Sequence, residues 1–77
     1  MNKREYIVIY EHTDHNWAAY APDVPGCIAT GRTRAEVERK FREALAFHLE
    51  GLQLEGLPLP EPLTEAGRVT IPITISA

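Results

Sequence analysis

One cysteine, one tryptophan and a single serine in 77 residues leave little material for nucleophilic or redox chemistry. Cys27 cannot close a disulfide within the chain, which fits a reducing compartment and predicts a cytoplasmic protein. Its apolar neighbours predict a buried, inert thiol. Ser76, near the C-terminus, has no evident base partner. No apolar run approaches the roughly 18 residues that cross a membrane. Met1-Asn2-Lys3-Arg4-Glu5 leads into a strand pattern rather than a signal core. No glycine-rich phosphate loop is present, and His48 lies on an apolar helix stripe where a packing role is expected. His12, Asp14 and His15 share one turn but match no closed zinc motif, so no metal or cofactor is expected. Positive charge is not in surplus either. The net charge is −3, and Arg32, Arg34 and Arg39 are diluted by Glu36 and Glu38. Direct nucleic-acid binding by this chain is therefore not expected, whereas a basic protein partner would suit it.

What the chain does contain is periodicity. Tyr6-Ile7-Val8-Ile9-Tyr10 is β-branched and aromatic throughout and predicts a first strand. The polar run His12 to Asn16 suits a hairpin turn. Trp17 to Ala21 follows as a second strand, with Trp17 and Ala19 on one face and Ala18 and Tyr20 on the other. Pro22-Asp23-Val24-Pro25-Gly26 turns the chain, the prolines fixing φ and Gly26 free to take a positive one. An Asp in such a turn usually accepts local backbone hydrogen bonds, and Asp23 is assigned that role. Cys27 to Ala29 then returns as a short third strand.

Thr33-Arg34-Ala35-Glu36 has the spacing of a helix-opening capping box. Val37, Phe41, Ala44, Leu45, His48 and Leu52 recur on one helical stripe. Glu36 with Lys40 and Glu38 with Arg42 are favourable pairs on the opposite, solvated face. Gly56 is the expected stop, followed by the extended, proline-rich stretch Leu57 to Pro62. Arg68 to Ile75 alternates, with Val69, Ile71, Ile73 and Ile75 on one face, and Pro72 predicts an edge strand. The expected fold class is α+β: a two-layer β-β-β-α-β domain spanning residues 1–77, with one helix on a mainly antiparallel sheet. So short a chain buries only about 60% of its unfolded surface, which makes self-association a natural supplement.

Tyr20, Pro22-Asp23-Val24-Pro25-Gly26-Cys27, Gly31, Thr33, Glu43-Ala44-Leu45, His48-Leu49-Glu50 and Gly56-Leu57-Pro58-Leu59-Pro60-Glu61-Pro62 occur in the order of one known pattern. In these residues the chain resembles the HicB-like antitoxin family. It departs at Asn16-Trp17, where glycine is common in the family, at Arg32, where an acid is common, and in stopping at Ala77 without a DNA-binding domain. The resemblance implies a partial RNase H-like fold, with the last strand beside the first, and an antitoxin that binds and blocks a HicA-type mRNA-cleaving toxin. It also implies a homodimer or tetramer. The alternative is an orphan homo-oligomeric domain with a regulatory role and no cognate toxin.

Nuclease chemistry in such a fold needs carboxylates gathered around divalent metals. The first and last strand cores carry none, so no enzymatic activity is expected. A lone helix leaves one sheet face open, and Trp17 or Tyr20, with Tyr6 or Tyr10, are the aromatics expected on it. The expected partner-binding set is Trp17 and Tyr20 as anchors, with Glu11, His12 and Asp14 as the polar rim.

Overall fold

The computed structural model describes residues 3–75, so Ser76 lies outside the described residues. β1 (Ile9–His12) and β2 (Trp17–Tyr20) form a hairpin, closed by Thr13 and Asn16. The Thr13 N–H donates to the Asn16 carbonyl at 2.8 Å, and the Thr13 hydroxyl accepts from the Asn16 N–H at 3.1 Å. β3 (Ile28–Gly31) pairs antiparallel with the other side of β2, giving the order β1-β2-β3. Between β2 and β3 the Val24 N–H donates to the Ala21 carbonyl at 3.0 Å, and Gly26 takes φ +87° as its turn requires.

α1 (Arg34–Leu54) opens on Thr33, whose hydroxyl accepts from the Glu36 N–H at 3.0 Å. The returning bond of the capping box is displaced by one residue: the Glu36 carboxylate accepts from the Arg32 N–H, at 3.2 Å. The helix runs through Gly51 and ends at Gly56, φ +72°, with the Gly56 N–H donating to Gln53 and the Leu57 N–H to Leu52. That paired closure is a Schellman motif, which satisfies carbonyls the last turn would otherwise orphan. On the outer face Glu36–Lys40 is 2.9 Å and Glu38–Arg42 is 4.0 Å, joined by Arg34–Glu38 at 2.6 Å. Such exposed, solvent-screened pairs contribute little to stability.

The core is thin. Ala19, Ala21, Val24, Cys27, Val37 and Phe41 are the buried apolar residues, with Trp17, Tyr10, Ala29 and Leu45 packed around them. The helix reaches the sheet because the strands offer small residues beneath it. A Cβ at Gly31 would meet the Val37 backbone nitrogen at 3.0 Å and its Cα at 3.2 Å, and backbone cannot step aside. Length then limits burial. Twenty-one helical residues extend about 32 Å, against roughly 13 Å for a four-residue strand. Val37 and Phe41 are accordingly buried, Ala44, Leu45 and His48 only half-buried, and Phe47 and Leu54 exposed.

The strands differ from expectation: β2 ends at Tyr20 rather than Ala21, β3 spans Ile28–Gly31 rather than Cys27 to Ala29, and the first and last depart further. β1 begins at Ile9 rather than Tyr6, because β2 ends at Tyr20, opposite Ile9, and the chain then enters the Pro22 turn. Tyr6 to Val8 is extended and half-buried but has no strand beside it. The fourth strand of the expected β-β-β-α-β order does not form among the described residues. Arg68 to Ile75 leaves the domain unpaired and exposed, so the α+β layering holds with three strands rather than four.

Replacing Gly31 with Ala should cost about 1–3 kcal/mol by overpacking the β3–helix contact. Urea unfolding of the variant should show a lowered midpoint with an unchanged slope. An unchanged midpoint would mean that the helix does not approach β3 this closely.

Candidate partner-binding surface

Ladder register sorts the sheet residues into two faces. Tyr10, Ala19 and Ala29 form one row and His12, Trp17 and Gly31 the next. Ala19 and Gly31 are buried under α1, so these rows face the helix. Side chains alternate along a strand, which leaves Ile9, Tyr20 and Ile28 in one row of the opposite face and Glu11, Ala18 and Thr30 in the other. Among the described residues no helix covers that face. Ile28 is 64% exposed, and with half-buried Ile9 and Tyr20 it makes an apolar band across all three strands.

The five expected contact residues therefore divide. Tyr20 and Glu11 share the open face as a diagonal cross-strand pair, the Tyr20 hydroxyl donating to Glu11 Oε1 at 3.2 Å. This hydrogen bond, then the Glu11 charge, raises the Tyr20 phenol above its ordinary value, keeping it a neutral donor. Trp17 and His12 lie on the helix side, their rings stacked with centroids 4.4 Å apart and planes 13° apart. Trp17 is half-buried against the core, so it is a packing residue with one exposed edge rather than a free anchor. Asp14 sits exposed in the hairpin turn.

The other two candidates, Tyr10 and Tyr6, are half-buried. Tyr10 faces the helix, with the Arg34 guanidinium carbon 3.5 Å from its ring centroid. Tyr6 packs toward the core and its hydroxyl donates to the Pro60 carbonyl at 2.7 Å. Of the alternatives Trp17 or Tyr20, and Tyr6 or Tyr10, Tyr20 is the one on the open face among the described residues. Ile9 and Ile28 were the residues that sequence reasoning missed. Alternation from buried Cys27 would have turned Ile28 outward, but the register that aligns it with Tyr20 and Ile9 is visible only once the strands are paired.

Asp23 also differs from expectation. Its carboxylate accepts no local turn bond but clasps Thr64, 41 residues away: the Thr64 N–H donates to Oδ2 at 2.9 Å and its hydroxyl to Oδ1 at 2.7 Å. The backbone bond, then the hydroxyl, holds the Asp23 carboxyl below its ordinary value. Arg4 donates to the Pro60 carbonyl at 3.0 Å and pairs with Glu61 at 3.4 Å, so the stretch after the helix is tied down at two places. Burial raises the Cys27 thiol, which is the condition of an unreactive cysteine. Among the described residues, no three His, Cys, Asp or Glu side chains gather to hold a metal, and no helix is long and apolar enough to cross a membrane. Beside this face an open groove of about 410 Å³ runs between Gly26–Ile28 and the helix at Ala44, Phe47 and His48.

Because the folded-state pKa of Asp23 is depressed, its clasp stabilises fully above the unfolded value of about 3.9 and is lost as pH falls through the lower folded value. Asp23→Ala should abolish this acid-side dependence and speed amide exchange at Thr64. Protection at Thr64 that survives the substitution would remove the clasp from the account.

Residues 6–70 match the family described as HicB_like antitoxin of bacterial toxin-antitoxin system. A 14.9 kDa protein from the rep-hol intergenic region of Haemophilus phage HP1 is 34% identical over 56 residues, covering 73% of this chain and 42% of its own length. Antitoxin HicB 2 of Photorhabdus laumondii subsp. laumondii is 30% identical over 73 residues, covering 94% of this chain and 52% of its own. The chain thus spans about half the length of these relatives. A chain in the solved HicA3 and HicB3 toxin-antitoxin complex superposes with TM-score 0.65 at 37% identity, over 78% of this chain and 70% of that one. With the family pattern extending from Tyr6 to Thr70, this chain belongs to the HicB-like antitoxin family.

Proposed function

We propose that this chain is an antitoxin that binds a HicA-type toxin by protein–protein contact and performs no chemistry itself. The observation that carries the reading is the likeness, in sequence and in fold, to a chain of a toxin-antitoxin complex. The uncovered sheet face supports it physically. Ile9, Tyr20 and Ile28 offer an apolar centre and Glu11 an acidic rim, the anatomy of a protein interface. The exposed turn with Asp14 and the edge of the His12–Trp17 stack extend that surface at one end. A net charge of −3 favours encounter with a basic toxin. A cytoplasmic setting goes with this reading.

The orphan homo-oligomer is the second reading, favoured by the exposed apolar segment Val69 to Ile75. Toxin binding separates the two. Ile28→Asp, which places a charge in the centre of the open face, should weaken binding of a purified HicA-type toxin at least tenfold, equivalent to about 1.4 kcal/mol. Ile28 is exposed, so the fold should survive, with helix content by circular dichroism unchanged. Trp17→Ala should instead lower stability by about 3 kcal/mol, through lost packing. Undiminished toxin binding by Ile28→Asp would place the contact elsewhere.

A further inference from the structure

We propose that the groove between β3 and the second half of α1 is a further contact for a HicA-type toxin, seating an apolar side chain flanked by basic ones. The inference rests on the antitoxin reading and adds a neighbouring site to it. Its first support is shape. The groove holds about 410 Å³, near the lower end of the roughly 300–1,000 Å³ of small-molecule clefts. That suits one or two side chains rather than a larger ligand. It opens where the helix outruns the sheet. Ala44 and Gly51 line it from the helix and leave room, while Phe47, 78% exposed, and Ile28 offer apolar contact.

Gly51 is the second support. A glycine inside a helix gives up more conformational entropy than alanine and is less stable there. A close neighbour in the same chain can explain such a residue, as the Val37 backbone explains Gly31. At Gly51 an added Cβ would meet nothing within 4 Å among the described residues, and its φ is not positive. No contact within the chain therefore calls for glycine. The space it leaves belongs to the groove, where something outside the chain can use it.

Charge is the third support. Between Glu43 and Gly67 the chain carries Glu43, Glu50, Glu55, Glu61 and Glu65 but no lysine or arginine. Glu43 pairs with Arg39 and Glu61 with Arg4, whereas Glu50 and Glu55 have no ion pair among the described residues. Glu55 lines the groove, and Glu50 lies three positions after Phe47, beside it on the helix surface. The last turn of α1 has no basic residue, so the negative end of the helix dipole adds to these carboxylates. An apolar cleft with an unneutralised acidic end fits an aliphatic or aromatic anchor with Lys or Arg beside it.

A second copy of the chain is the poorer occupant. Across a two-fold contact at this groove the same acidic helix ends would meet, and like charges so placed repel. A basic toxin brings the opposite sign. Ile28 belongs to both the groove and the open sheet face, so one partner can cover the two together.

Gly51→Leu fills the groove while favouring the helix, which separates lost binding from lost folding. The variant should keep its helix content and an equal or higher urea midpoint, yet bind a purified HicA-type toxin about tenfold more weakly by calorimetry. Phe47→Ala, which removes an exposed side chain and overfills nothing, should weaken binding in the same direction. Glu50→Gln with Glu55→Gln should slow toxin association at low salt and flatten its salt dependence. Toxin bound equally well by wild type and Gly51→Leu would overturn the proposal and leave the antitoxin reading standing. Wild-type salt dependence in the double glutamine variant would overturn it too. So would a toxin-free oligomer that Gly51→Leu dissociates in sedimentation, since another copy would then hold the groove. A wild-type chain that binds no HicA-type toxin would remove both readings.

Discussion

Everything in this fold depends on how closely one helix can lie on three short strands. Val37 and Phe41 supply the large buried side chains, and Ala19, Ala29 and Gly31 make room for them. The resulting core is small, and it sits under the first half of the helix only. Beyond Phe41 the helix outruns the sheet, so Phe47 and Leu54 emerge into solvent. The segment after Gly56 can add no further layer and is held by polar ties from Tyr6, Arg4 and Asp23. A domain with so little interior leaves apolar surface unspent on one sheet face and on one arm.

Those two surfaces have different chemistry. The open face is rigid, set by ladder register, and mixes the Ile9–Tyr20–Ile28 band with Glu11. Its Tyr20–Glu11 hydrogen bond presents a neutral phenol beside a carboxylate, a pairing suited to a partner with both apolar and basic groups. The arm is a bare strand without a sheet. The first has the apolar centre and acidic rim of a protein-contact surface, and the second has the alternation of a strand.

Local signals were readable in the sequence. Thr33 and Glu36 announced the helix start, Gly56 its end and Gly26 the turn, because each is decided by a few neighbouring residues. The open face was only half legible. Period two separated Trp17 from Tyr20, but which of them met the helix depended on where Phe41 and Val37 came to rest. Trp17 and Tyr10 thus proved to be packing residues, one stacked on His12 and the other beneath Arg34. Asp23 read as a turn residue because its partner lies 41 positions away. The alternation of Val69 to Ile75 read as an edge strand, but a strand needs a partner edge, and among the described residues this segment has none.

Isoleucine-methyl NMR during titration with a HicA-type toxin tests the central claim most directly, since Ile9 and Ile28 mark the open face and Ile71, Ile73 and Ile75 mark the arm. Selective shifts at Ile9 and Ile28 are expected on toxin addition, at a protein concentration where the arm signals are already constant. Shifts confined to the arm isoleucines, with Ile9 and Ile28 unmoved at saturation, would contradict the account and place the toxin on the arm instead.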